Sequence, residues 1–197
     1  MVRFEGQMGA WITMIPPEAA EGRLRELYDS VRTPHGTIDN VMRAHSLRPE
    51  TMAGHVALYR AVLHNPANRL PLAFLEIVAA YVSRINCCAY SLAHHWANAE
   101  RLIADPNRAA QVKRVIEGEG PSQVFPSREA ALLDYAAKLT RTPGDIVRSD
   151  WLALKSAGCK DDEILEVNQV VAYFAYSNRL LNGLGVDTEG DTIGYYE

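Results

Sequence analysis

The sequence predicts an all-α fold, and three observations predict it. Apolar residues recur at helical spacing, as in Leu24, Leu27, Tyr28 and Val31, and again in Met52, Val56, Tyr59 and Leu63. The periodic runs are separated by helix breakers: Thr33-Pro34-His35-Gly36, Asn65-Pro66, Asp105-Pro106 and Thr142-Pro143-Gly144. No stretch alternates apolar and polar residues with turn punctuation, so no sheet is assigned. The expectation is about eight to nine helices around a central helix pair, in a single domain spanning 1–197.

Taken in order, residues 1–14 lack a period and read as an N-terminal arm. Pro16 and Pro17 open the first helix, with Pro17 suited to the first helical position. A short helix follows from about Ile38 to His45, and Pro49 starts the next. Helices over 70–84 and 87–104 form the central pair. Residues 107–117 continue helically, and Gly118 to Pro126 reads as a loop. Ser127 caps the next helix, whose apolar residues are Leu132, Leu133, Ala136 and Leu139. Ser149 caps a short helix ending at Gly158, and Asp161 or Asp162 caps the last long one. That helix is apolar over much of its circumference, from Ile164 to Leu181, and ends at Gly183 and Gly185. The polar tail 187–197, with Tyr195 and Tyr196, is expected to be mobile or to dock on a neighbour.

Size and composition narrow the function classes. The chain has 197 residues, 48% of them hydrophobic, enough for a full core. Its net charge of −4 and the lack of a basic block argue against nucleic acid or a membrane surface as partner. The apolar run 70–83 is too short to span a bilayer and contains Glu76. The N-terminus shows no apolar secretory core. Three cysteines, two of them adjacent, do not make a disulfide framework, and a reducing cytoplasm fits best.

Chemistry concentrates in LPLAFLEIVAAYVSRINCCAYSLAHHWANAERLI, residues 70–103. Asn86 reads as the N-cap of the second helix, placing Cys87 and Cys88 in its first turn. A helix N-terminus favours thiolate over thiol. Helical spacing puts Cys88, Ser91 and His95 on one face and Cys87, Tyr90 and His94 on the next. Glu76, the only charge in its run, enters from the facing helix. It is expected to be buried and within one water of His95. Thiol, hydroxyl, imidazole and carboxylate in an apolar wall form a proton-relay site. Singly, each of these residues reads as core filler or structural support; together they read as a site.

Other residues carry less. His35, His45, His55 and His64 have no metal-ligand spacing, and adjacent His94 and His95 point about 100° apart. No metal and no cofactor is expected. Gly183-x-Gly185 follows a helix, where a dinucleotide fingerprint follows a strand. Cys159 reads as packing, Trp96 as core or interface, Tyr90 as a pocket border, and Asn178 with Arg179 as structural.

The central stretch resembles the alkylhydroperoxidase AhpD-like proteins of the carboxymuconolactone decarboxylase superfamily, most closely the peroxidase-related branch. That pattern has a Glu, twelve residues on a Cys-x-x-Cys, and a His four residues after the second Cys. Glu76, Cys88 and His95 match; Ser91 replaces the second cysteine. SLRPETM (46–52), AAKLTRTP (136–143), AGCKDDEILEV (157–167) and YSNRLLNGLGV (176–186) extend the resemblance over nearly the whole chain. It implies the AhpD-like helical fold, a homo-oligomer built from dimers or trimers, and catalytic roles for Glu76, Cys88, Ser91 and His95.

Three functions follow as expectations. The first is a thiol-dependent peroxidase-like oxidoreductase acting on a small hydroperoxide. Cys88 is its redox thiol, and Glu76 and His95 are its relay. Cys87 cannot replace the missing resolving thiol, because adjacent Cα atoms lie ~3.8 Å apart and disulfides need at least about 4.4 Å. That cycle therefore needs an external thiol reductant. The second is a decarboxylase-like acid–base enzyme using Glu76, Ser91 and His95 on a small organic acid. The third is a non-catalytic oligomeric binding protein. The apolar last helix and central pair predict a symmetric homo-oligomer, a dimer or higher.

Overall fold

The computed structural model describes residues 9–194, and among them every regular element is helical. The nine α-helices are α1 (Gly22–Ser30), α2 (Asn40–Arg43), α3 (Pro49–Leu63), α4 (Leu72–Ile85), α5 (Ala89–Ile103), α6 (Pro106–Glu117), α7 (Ser127–Arg141), α8 (Arg148–Ser156) and α9 (Asp161–Leu184). Single 3₁₀ turns occupy Pro17–Ala19, Pro121–Gln123 and Pro143–Asp145. None of these helices is long and apolar enough to cross a membrane.

Helix α4 is the axis of the molecule. Every residue from Phe74 to Ser83 is buried, as its apolar circumference requires. Helices α5, α6, α7 and α9 pack around it, with α3 alongside. Leu75, Val78 and Val82 of α4 meet Leu132 and Leu133 of α7 and Val167, Val170 and Phe174 of α9 in one core. The entry to α4 is held by Glu166 of α9. Its two carboxylate oxygens accept hydrogen bonds from the backbone N–H groups of Arg69 at 2.7 Å and Leu70 at 2.9 Å. The apolar surface of α4 is covered within the chain. The exposed large apolar side chains on the last elements are Trp151 and Leu152 of α8 and Leu165 and Tyr176 of α9.

The α4–α5 junction differs from the sequence reading. Asn86 is the C-cap of α4 and not the N-cap of α5. Cys87 has φ +53°. Its N–H reaches the Arg84 carbonyl at 3.1 Å, and the Cys88 N–H reaches the Ser83 carbonyl at 2.9 Å. These are the paired 5→2 and 6→1 bonds that close a helix through a left-handed residue. Cys88 is then the N-cap of α5. Three residues therefore end one helix and start the next. Propensity rules place Asn at a helix start, but the tight reversal needed its backbone one step earlier.

Other caps move for similar reasons. Ser127 is the first residue of α7, with Pro126 at the cap. Val147 precedes α8, where Asp150 reaches back to the Val147 N–H at 2.8 Å; Ser149 lies inside the helix. Lys160 precedes α9, where Glu163 does the same at 2.9 Å. In both, a third-position carboxylate satisfies the orphan N–H that a capping side chain would otherwise serve. The first helix divides at Ala20, and the second is shorter than the expected span from Ile38 to His45.

Both terminal segments dock on the chain's own body. The Trp11 N–H donates to the Leu184 carbonyl at 2.8 Å, and the Asp187 N–H to the Gly9 carbonyl at 3.0 Å. Gly185 follows α9 with φ +61°, and a Cβ there would overlap the Trp11 indole. The tail through Asp191 packs on α2, where Asn40 Nδ2 donates to the carbonyls of Asp187 and Glu189. Of the tail expected to be mobile or to dock on a neighbour, residues 187–191 pack on the chain itself. Tyr195, Tyr196 and residues 1–8 lie outside the described residues.

Cys87 is exposed and sits in a backbone conformation that costs a residue with a Cβ about 1–2 kcal/mol. Cys87→Gly is expected to raise the unfolding free energy by about 0.5–1 kcal/mol, offset in part by the added freedom of the unfolded chain. Cys87→Val is expected to lower it. Urea denaturation of the two variants beside the parent protein checks this.

Candidate proton-relay site

Burial of Glu76 dictates the first contact. Its carboxyl lies in the middle of α4 with 0% of its surface exposed. A carboxylate taken out of water must find donors. The facing helix α5 supplies them: His95 Nδ1 lies 2.6 Å from Oε2, and Asn98 Nδ2 donates to Oε1 at 3.4 Å. The contact to His95 is direct, closer than the one-water reach expected. A carboxylate only accepts, so the imidazole donates through Nδ1, and the neutral ring then has its lone pair at Nε2. Phe174 of α9 packs edge-on against the ring, with centroids 4.6 Å apart. His95 is thereby fixed in tautomer and in orientation.

His95 forms part of the wall of a cavity of about 200 Å³ between α5, α9, α3 and the α1–α2 loop. Ser91, one turn before His95, belongs to the same wall. Apolar side chains, among them Val31, Met42, Val56 and Leu181, make up much of the rest, with Tyr59 and Tyr173 beside them. Carboxylate, oriented imidazole and open space form an arrangement that can take a proton from a bound molecule and return it. Among the described residues no hydrogen bond joins Ser91 to His95, whose Nδ1 faces Glu76.

Cys88 does not join this wall. Cys88 is buried, in an apolar cluster with Ala10, Ala44, Tyr90, Leu181 and Val186. Of the three residues expected on one stripe, Ser91 and His95 belong to the cavity wall. Cys88 is the N-cap of α5, and its carbonyl accepts from the Leu92 N–H at 3.0 Å. Cys87 lies outside the helix altogether, leaving Tyr90 and His94 as the neighbouring stripe. Their rings stack with centroids 4.7 Å apart.

A second polar group, with no counterpart in the sequence motif, borders the cavity near Tyr90 and His94. The Tyr90 hydroxyl donates to Asp191 Oδ2 at 2.6 Å, and the Asn40 N–H meets the same carboxylate at 3.1 Å. His94 Nε2 lies 3.7 Å from Asp191. Burial, then the Asp191 and Asp39 carboxylates, push the Tyr90 phenol well above its usual range. Asp39 forms part of the cavity wall. Burial and then the nearby Asp191 charge raise its pKa to about 6, against a smaller opposing effect of His94. Nothing in the sequence announces Asp39 or Asp191, which lie 152 positions apart; only the docked tail brings them together.

The remaining candidates take structural positions. His55 bonds Tyr173 at 3.0 Å and packs against His45, and burial followed by the His45 charge lowers its pKa to about 3. Cys159 is buried, with its thiol 3.7 Å from the Arg128 carbonyl. Asn178 bridges Asn86 and Ser83, Arg179 bonds its own helix at the Ala175 carbonyl, and Trp96 packs on the core. Among the described residues, no three His, Cys, Asp or Glu side chains are grouped to hold a metal ion.

The raised Asp39 pKa has a thermodynamic consequence. Between pH 3.8 and about 6 the folded protein retains a proton that the unfolded chain has released. Stability from this group is thus present at low pH and lost as pH rises through that window, by about 2–3 kcal/mol. Asp39→Asn cannot ionise. Its stability relative to the parent is expected to rise between pH 4 and 6 and stay level above, as read by urea denaturation across that range.

No family model matches the chain, and no curated protein matches it. Solved structures do. The AhpD-core, uncharacterized peroxidase-related protein from Ralstonia eutropha JMP134 superposes with a TM-score of 0.79 at 22% identity, covering 93% of this chain and 94% of that one. An uncharacterized peroxidase-related protein from Silicibacter sp. TM1040 gives 0.75 at 23% identity, covering 95% and 98%. A cysteine-to-alanine variant of the debrominase Bmp8, in complex with 2,3,4-tribromopyrrole, gives 0.71 at 14% identity, covering 94% of each chain. A helical body shared over nearly the full length of each neighbour, with α4 and α5 at its centre, means that this chain has the alkylhydroperoxidase AhpD-like fold.

Proposed function

We propose that the protein is an acid–base enzyme that moves a proton on a small organic acid held in the 200 Å³ cavity. The observation that carries this reading is the 2.6 Å contact between Glu76 and His95 Nδ1, which leaves His95 Nε2 as the base at the cavity wall. In one turnover Nε2 takes the substrate proton, Glu76 stabilises the imidazolium, and the ring returns the proton to the rearranged product. Arg32 and Arg60 belong to the same cavity wall and suit an anionic substrate.

A thiol-dependent peroxidase is the second reading, favoured by the fold shared with peroxidase-related proteins. Its weakness is that Cys88 is buried and does not belong to the cavity wall. On that reading Cys88 attacks the terminal peroxide oxygen, releasing an alcohol and leaving a sulfenic acid, which an external thiol reduces.

Deuterium uptake from heavy water into a panel of small keto and hydroxy acids tests the first reading. The parent protein is expected to catalyse exchange. His95→Gln and Glu76→Gln are expected to lower it by about 10²–10⁴-fold, and Cys88→Ser to leave it unchanged. Loss of exchange in Cys88→Ser, or rapid oxidation of Cys88 by one equivalent of hydroperoxide in mass spectrometry, would transfer the assignment to the peroxidase.

The same geometry predicts the behaviour of a new thiol. Ser91 stands in the cavity wall one turn from His95, and a serine hydroxyl is a far poorer peroxide nucleophile than a thiolate. Ser91→Cys is expected to raise peroxide turnover and to allow a disulfide with Cys88 at the N-cap. Peroxide consumption and thiol titration measure both; a folded variant with neither change would contradict the placement of Ser91.

A further inference from the structure

Asp39 is the polar group of the cavity that the relay does not use. It is 3% exposed, stands in the cavity wall, and its Oδ1 is enclosed with no hydrogen-bond partner among the described residues. Leaving a buried carboxyl oxygen unpaired costs about 1–3 kcal/mol, and more when it is charged. His94 favours the Asp39 charge, but by less than burial and Asp191 oppose it. The Tyr90 hydroxyl is committed to Asp191, and the Asn40 N–H to the same carboxylate. Asp191 itself adds repulsion. Asp39 nonetheless belongs to the cavity wall, and Oδ2, which is less enclosed than Oδ1, is the acceptor that a molecule in the cavity can meet.

The rest of the wall defines the body of that molecule. Val31, Met42, Val56 and Leu181 give it apolar surface, with Tyr59 and Tyr173 beside them. A cavity of ~150 Å³ with apolar lining takes up benzene; this one, at about 200 Å³, accommodates a ring with one or two small substituents. Resting on the acid–base reading, we propose that the substrate is a small ring-sized molecule bearing a hydroxyl or N–H donor. Asp39 accepts a hydrogen bond from that donor and positions the molecule against His95. Asp39 is here a substrate-binding residue. The neutral donor fits because it supplies a hydrogen without bringing another negative charge to the Asp39–Asp191 pair.

Phenol and toluene, equal in size and different in one donor, are the probes. Calorimetry or ligand-observed NMR at pH 7.5 is expected to show phenol bound roughly tenfold more tightly than toluene by the parent protein, a difference typical of a hydrogen bond to a charged acceptor. Asp39→Leu, which fills the same space without an acceptor, is expected to abolish the preference. Asp39→Asn, which retains a neutral acceptor, is expected to reduce it severalfold and covers the case in which the leucine variant does not fold. Equal affinity for the two probes, binding of neither, or a preference unchanged in the variants would overturn the proposal. None of these outcomes depends on proton exchange, so failure here is distinct from failure of the relay, which is read in His95→Gln.

Discussion

A carboxylate without contact to solvent organises this protein. Glu76 sits in the one helix that is buried on all sides, and such a group is tolerated only when donors meet it at hydrogen-bond distance. His95 and Asn98 can do so only if α5 runs back along α4 at close range. The three-residue turn at 86–88 makes that possible, and the left-handed Cys87 is its local cost. Core packing by α7 and α9 then encloses the pair, and Phe174 holds the imidazole in place.

The turn also decides the fate of the sulfur. A tight reversal makes Cys88 the N-cap, and its side chain is buried in an apolar cluster that includes Ala10 of the N-terminal segment. Ser91 and His95, further along α5, keep their helical register and reach the cavity. Beside the imidazole the cavity wall therefore carries the Ser91 hydroxyl. Glu76 and His95 meet directly, and Cys88 is not part of that wall.

The termini complete the cavity surroundings. Gly185 lets the chain leave α9 beneath Trp11, and the tail then returns over α2 to bring Asp191 against Tyr90 and Asn40. The resulting pair of carboxyl groups, Asp39 and Asp191, gives the cavity a second polar pole, distinct from the Glu76–His95 pole. One pole orients a base by a charge-assisted hydrogen bond; the other retains an unpartnered acceptor.

Helical class, the central pair and the Glu76–His95 partnership were legible in the sequence. They follow from local periodicity and from the demand that a lone charge in an apolar run be paired. Helix ends were less legible: third-position carboxylates such as Asp150 and Glu163 did the capping that Ser149, Asp161 or Asp162 were expected to do. That Ser91 enters the cavity wall and Cys88 does not was hidden, because helical spacing assumes that both residues lie within the helix, and the junction placed Cys88 at its edge. Asp39 and Asp191 carried no pattern at all. Their proximity arises from tail docking, a contact between distant segments that no local rule encodes. By itself the sequence determined which groups could not be left alone in an apolar helix. Only the tertiary structure decided which side chains share the cavity, because that depends on where the chain turns and where its ends come to rest.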